Sequence, residues 1–266
     1  MLIISDNLNM ARGHVARAIT ARDAGSIREL AHKITAAGAD VIDVNIGLVT
    51  QAAEDTMIWL VDQIQAVSDR QLSLDGHSVD ALIAGAERAV KKPILNAYFV
   101  QSAHPDGMAR LYDYAASKGL EIILPALGDG GPPLDPDRRA GKAQELVEAA
   151  MGAGVPAENI FVDPVVVHLA GGYAQDHAAA VLETMKLLGT MFDPPVKTVA
   201  GVEYLGQGTP AELRSAVSRV YLAMLGALGL NAAMVDVLDS ATMRDIRLIK
   251  GLRNESLYSV SDAEIK

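Results

Sequence analysis

Ala39-Asp-Val-Ile-Asp-Val-Asn-Ile-Gly47 is a short apolar run, bounded by Gly38 and Gly47, that ends in Asp43 and Asn45. Its β-branched residues fit a strand buried on both faces, as in a parallel sheet, better than a half-exposed antiparallel strand. A helix is expected next. Within residues 51–67, Met57, Leu60, Val61, Ile64 and Val67 recur three or four positions apart, which makes one apolar helical face.

The same unit repeats along the chain. Strands are expected over residues 2–5, 72–74, 93–97, 120–127, 160–163, 198–202 and 232–237. The intervening helices start at Ser26 and Ser78, or run through Met108–Leu111–Tyr112–Ala115, Ala143–Leu146–Val147–Ala150, 178–188, 213–228 and 243–252. Gly38 sits where a C′ glycine closes a helix. Eight strand–helix units in 266 residues predict a single α/β domain, residues 1–266, folded as a (β/α)₈ TIM barrel, because each right-handed crossover lays the next strand beside the last. An open doubly wound sheet is the alternative, but no Gly-x-Gly-x-x-Gly follows any strand.

Composition limits the partners. The chain has 33 acidic and 23 basic residues, a formal charge of −10, which disfavours nucleic acid and anionic membrane surfaces. It has no cysteine, so no disulfide framework or thiolate metal site is possible. No apolar run approaches the roughly 18 residues of a membrane span, and the first residues are too briefly apolar for a signal peptide. A soluble, cytoplasmic protein is expected.

In a barrel the carboxyl ends of the strands share one mouth, where such folds place their chemistry. Here they bring Asp6, Asn7, Asp43, Asn45, Asp75, Asn96, Asp163, Glu203, Tyr204 and Asp236, with no Lys or Arg. That set does not suit a phosphorylated substrate, which needs cations or helix N-termini. It suits a neutral, amide-rich heterocycle, since a carboxylate accepts two bonds from adjacent N–H groups and Asn both donates and accepts.

Val41-Ile-Asp-Val-Asn-Ile-Gly47, Leu74-Asp75, Ile94-Leu-Asn96, Val162-Asp-Pro164, Ala174-Gln-Asp-His177 and Lys197-Thr-Val-Ala-Gly201 with Gln207 together resemble the pterin-binding corrinoid methyltransferases. Members of that family are similar in fold to dihydropteroate synthase and move a methyl group between tetrahydrofolate N5 and the cobalt of a corrinoid protein. The resemblance implies tetrahydrofolate or methyltetrahydrofolate as substrate, and a corrinoid (cobalamin) carried by a partner protein. It also implies a homodimer. Asp75, Asn96 and Asp163 would hold the pterin edge, Asp43 and Asn45 would support its floor, and Gln207, Gly201 and Asn9 would lie against the ligand. Asn96 and Tyr204 would be catalytic; no metal ligands are implied.

Two positions depart from the family. The first strand usually ends Gly-Glu-x-x-Asn, whereas this chain has Ser5-Asp6-Asn7-Leu8-Asn9; Glu203-Tyr204 stands where the seventh strand usually supplies an Asn near N5. A methyl leaving N5 needs an acid, and tyrosine is a poor one, so the expected direction is from methylcorrinoid to tetrahydrofolate. Dihydropteroate synthase is a rival, although the basic residues that bind its pyrophosphate substrate are missing; a non-catalytic pterin-binding protein is another.

Plainer roles compete for several residues. Asp239 reads as a helix cap, Asp176-His177 as the opening of a helix, and His77 as a solvated loop residue. Asp43 and Asn45 could form a hydrogen-bonded layer, and Met57, Met185, Met224 and Met234 read as core. The Gly- and Pro-rich segment 128–133 reads as a mobile loop and an expected contact for the corrinoid protein.

Overall fold

The structure is a computed structural model that describes residues 1–49, 51–103, 105–128, 130–170 and 174–257. Eight parallel strands close on themselves in sequence order. They are β1 (Leu2–Asn9), β2 (Val41–Asn45), β3 (Gln71–Asp75), β4 (Ile94–Asn96), β5 (Glu121–Pro125), β6 (Ile160–Asp163), β7 (Lys197–Gly201) and β8 (Ala232–Val235). The fold is the expected (β/α)₈ barrel. Around it, among the described residues, run α1 (Gly13–Thr20), α2 (Ala24–Ala36), α3 (Ala53–Gln65), α4 (Val79–Arg88), α5 (Tyr98–Ala103), α6 (Met108–Lys118), α7 (Pro136–Gly152), α8 (Ala174–Met191), α9 (Ala211–Ala227) and α10 (Ser240–Leu252).

Alternation along the strands splits the core in two. One set of side chains, including Ile42, Val44, Leu72, Leu74, Ile122 and Leu124, packs with the helices in one large apolar cluster. The other set, Ile4, Val41, Ile94, Ile123, Phe161, Val199, Ala232 and Met234, forms a second cluster that fills the barrel. Polar groups close its lower end: Lys197 Nζ donates to Glu121 Oε1 at 2.5 Å and lies 4.5 Å from the centre of the Phe161 ring. Every polar residue at the opposite end therefore stands on a packed apolar plug and not over a channel.

Several local details differ from the expectations. Strand β1 runs to Asn9, and its register with β2 gains one residue between Ser5 and Leu8, a bulge that the strand pattern does not reveal. Helix α1, carried by only Val15 and Ile19 as buried residues, had no counterpart in the reading of the sequence. Helix α2 begins at Ala24, with Asp23 as its cap; the Ser26 N–H donates to Asp23 Oδ1 at 3.1 Å, so Ser26 lies inside the helix. Met57, Met185 and Met234 are buried, but Met224 is exposed on α9. Asp239 caps α10, as expected, through the Ala241 N–H at 3.0 Å. No described helix is long and apolar enough to cross a membrane.

Candidate active site at the carboxyl ends of the strands

Register brings the central residues together. Asn45 on β2 is level with Asp75 on β3, which is level with Asn96 on β4; across the barrel, Asp163 ends β6 level with Pro125. These four residues, with Asp6, Tyr98, Val165, Val166, Gly201, Tyr204 and Met234, line a cavity enclosing about 490 Å³ of empty space that includes its opening to solvent. Asp43 lies one layer deeper, fully buried, where its Oδ1 accepts from Ser73 Oγ at 2.6 Å. Asn9 sits beside the cavity, bonded to Asp6. Gln207 is exposed and is not among the lining residues.

One device orients most of these side chains. At the strand ends a side-chain oxygen accepts the N–H two residues ahead: Asn9 from Ala11 at 2.9 Å, Asn45 from Gly47 at 2.9 Å, Asn96 from Tyr98 at 3.2 Å, Asp163 from Val165 at 2.7 Å and Asp236 from Leu238 at 2.9 Å. These are Asx turns. With Oδ1 taken by the backbone, each Asn has only its NH₂ left to offer its neighbours. Asn9 accordingly donates to Asp6 Oδ1 at 2.7 Å, and Asn45 donates to Asp75 Oδ2 at 2.7 Å. The other oxygen of Asp75, Oδ1, is buried and finds no hydrogen-bond partner among the described residues.

The carboxyl groups burden one another. Burial raises the pKa of Asp75 well above the ordinary value, and the charges of Asp43 and Asp6 push it further. Burial moves Asp43 up to about 8 against the hydrogen bond from Ser73, and Asp163 up to about 6 against the Val165 N–H and the Arg139 cation. Asp6 is raised by burial despite Asn9 and Arg12. Burial and mutual repulsion thus hold this set of acids back from full ionisation.

Two arginines correct the expectation of a mouth without cations. Arg12, just beyond β1, donates to Asp236 Oδ2 at 2.9 Å and to the Asp6 carbonyl at 3.1 Å. Asn7 donates to Asp236 Oδ1 at 2.6 Å. Burial works against the Asp236 carboxylate, but Asn7 and Arg12 outweigh it and hold its pKa below the usual value. Arg139, from α7, is fully buried behind Asp163. Neither was legible from strand ends, because both lie on helices or loops that reach back.

Tyr204 lies on the 3₁₀ turn Val202–Tyr204 after β7, with its ring seated on Gly201: a Cβ there would stand 3.2 Å from Tyr204 Cδ2. Burial and the charge of Asp6 raise its phenol, so it stays protonated near neutrality. Glu203 is half-buried beside it; its carboxyl is raised by burial, and its Oε1 makes no hydrogen bond among the described residues. His77 is buried, with Nδ1 3.4 Å from the Gly47 carbonyl, and so is not the solvated residue expected. Helix α8 starts at Ala174, which places His177 inside its first turn; there Nδ1 meets Arg139 Nη2 at 2.8 Å. Among the described residues no cluster of three or more His or carboxylate groups forms a metal site.

Asp43 has a consequence for stability. Its folded pKa of about 8 stands above the unfolded value near 3.8, so between these limits the folded state holds a proton that the unfolded chain has lost. Stability from this group therefore falls as pH rises through that window. Asp43→Asn is expected to melt above the wild type at pH 8, with the gap closing toward pH 5, in thermal scans followed by circular dichroism. Equal melting temperatures at both pH values would count against a protonated Asp43.

A parallel barrel whose mouth is a cavity of buried acids and amides defines a class of scaffold with its hydrogen-bonding groups gathered at one end. Within that class the chain belongs to the pterin binding enzyme family, whose sequence profile matches residues 6–236. It is 23% identical over 240 residues to the methylcorrinoid:tetrahydrofolate methyltransferase of Eubacterium limosum, covering 89% of this chain and 85% of that protein. It is 22% identical over 243 residues to the methionine synthase of Mycobacterium leprae (strain TN), covering 88% of this chain but 20% of that longer protein.

Proposed function

We propose that the protein is a methyltransferase that moves a methyl group between N5 of tetrahydrofolate and the cobalt of a corrinoid carried by a second protein. The observation that carries the reading is the buried Oδ1 of Asp75, which has no hydrogen-bond partner among the described residues. With its Oδ2 already taken by Asn45, this oxygen can accept from the N–H edge of a pterin, while Asp163 accepts from across the cavity and Asn96 offers its NH₂. Among the described residues no Lys or Arg lines the cavity to meet an anionic pyrophosphate substrate, which disfavours dihydropteroate synthesis. The name of the E. limosum relative supports both substrates.

Direction follows from Tyr204. In transfer to tetrahydrofolate, the unprotonated N5 lone pair forms the new bond to the methyl carbon; the methyl–cobalt bond breaks with its electron pair left on the metal, and N5 releases its proton. No acid is required. A phenol that stays neutral can hydrogen-bond N5, and Asp6, which lines the same cavity and is bonded by Asn9, would receive the proton. We therefore assign methylcorrinoid as the physiological donor. The corrinoid protein would approach the mouth beside segment 128–133, of which residue 129 lies outside the described residues and Gly128 and Gly131 exchange backbone hydrogen bonds at 3.0 Å. A homodimer in the cytoplasm, with residues 1–266 as one pterin-binding domain, completes the proposal.

The test is visible absorbance of cobalamin mixed with enzyme and folate in both directions: methylcobalamin with tetrahydrofolate, and cob(I)alamin with methyltetrahydrofolate. Transfer is expected both ways, with Tyr204→Phe slowing the first by about tenfold, the scale of one lost hydrogen bond in the transition state. An equal rate for Tyr204→Phe in both directions removes the basis for the assigned direction. Tight folate binding with no transfer, to free cobalamin or to a protein-bound corrinoid, would instead favour a binding protein.

A further inference from the structure

We propose that Arg139 is a positioning residue for Asp163: from inside α7 it fixes the turn that follows β6 and places a cation behind the carboxylate that reads the ligand. The inference rests on the pterin reading above. Arg139 is the largest of the fully buried side chains. Burying a guanidinium is unfavourable unless its donors are met, and an apolar side chain of similar volume would fill the same space without that penalty. Its donors are met by three separate segments that converge on the site. Nε donates to the Pro133 carbonyl at 2.7 Å, Nη1 to the Pro164 carbonyl at 3.1 Å, and Nη2 to His177 Nδ1 at 2.8 Å. A guanidinium only donates, so Nδ1 accepts and the imidazole is neutral.

The turn it holds is strained. Val165, a β-branched residue, has φ of 61°, in the left-handed region such side chains avoid. Its N–H donates to Asp163 Oδ1 at 2.7 Å, which fixes the carboxylate, and Val165 and Val166 form the cavity wall beside it. The Pro164–Val165 peptide is thus held on both sides, its N–H by Asp163 Oδ1 and its carbonyl by Arg139 Nη1. Strain of this kind persists only where the surroundings over-determine it.

Asp163 faces Asp75 from β3, Tyr98 from α5 and Arg139 from α7; behind Arg139 stand Asp176 and His177 from α8 and Tyr221 from α9. Of these neighbours Arg139 favours the ionised carboxylate. A purely structural arginine would weaken ligand binding equally at every pH, whereas a positioning one also sets the pH at which binding fails.

The experiment is calorimetric titration with tetrahydrofolate from pH 5 to 8.5 for the wild type, Asp163→Asn, Arg139→Gln and Arg139→Lys. Wild-type affinity should fall on the acid side near pH 6, where Asp163 takes a proton. Asp163→Asn should lose that limb. Arg139→Gln should move it up by about one pH unit, and Arg139→Lys should return it to the wild-type pH while binding about tenfold more weakly, since the single nitrogen of an ammonium cannot reach acceptors that the guanidinium meets with three. A limb in Arg139→Gln at the wild-type pH overturns the inference. If the Gln variant does not fold, Arg139→Lys decides: wild-type affinity at pH 7.5 overturns the proposal. A wild type that binds no tetrahydrofolate at any pH defeats the pterin reading itself, and this inference with it.

Discussion

Asp75→Ala is expected to weaken tetrahydrofolate binding roughly 100-fold, about 3 kcal/mol, the scale of two hydrogen bonds lost together. The loss should be in affinity and not in folding, because the variant removes an acid whose burial is unfavourable in the empty protein. Asp75→Asn is expected to be no better. Asn45 donates to Oδ2, so an amide at position 75 would turn its oxygen toward Asn45 and its NH₂ toward the cavity, setting a donor against the N–H edge of the ligand. Calorimetry on the two variants, with circular dichroism to confirm the fold, makes the comparison. A change of less than threefold in both would mean that another group reads the pterin.

The second large effect concerns Gly85, in the middle of α4. A Cβ there would stand 2.5 Å from Met57 Cγ on α3 and 3.1 Å from Leu74 Cδ1 on β3. Alanine gains about 1 kcal/mol in helix propensity over glycine, but overpacking typically costs about 1–3 kcal/mol, so the contact wins. Valine adds two methyl groups to the same clash. Gly85→Val is expected to destabilise the fold by about 3 kcal/mol and lower the melting temperature by roughly 6–12 °C. Because Leu74 precedes Asp75, folate affinity should fall in the same variant. An unchanged melting temperature would show that α4 can move away from β3 without penalty.

The barrel was readable because its evidence is periodic. The run ending at Asp43 and Asn45 announces a strand buried on both faces, and seven further runs follow at helical intervals; the closed order of strands then follows from crossover handedness. The ends of β2, β3, β4 and β6 carry their polar residues in plain view, so the residues that come together around Asp75 could be named from the chain. What escaped notice has no period. Helix α1 buries only two side chains, and the bulge in β1 is a register event between strands. Arg139 has an ordinary place on the amphipathic face of α7, and nothing local distinguishes it from a surface arginine. Its role depends on carbonyls from segments 6 and 25 residues away. Gln207 illustrates the converse: its motif suggested a place beside the ligand, but the 3₁₀ turn after β7 leaves it exposed.

The Asx turns at the strand ends have an entropic consequence. A side chain already tied to the backbone two residues ahead has no rotamers left to surrender when a ligand arrives, and immobilising a free polar side chain typically costs about 0.5–1.5 kcal/mol on binding. Asn45, Asn96 and Asp163 each meet this condition within their own three-residue span. Each strand end is in that sense a self-contained clamp. Loops beyond these spans can change in length or sequence while the hydrogen-bonding edge keeps its shape, so the recognition surface and the surface offered to a second protein can vary independently on one barrel.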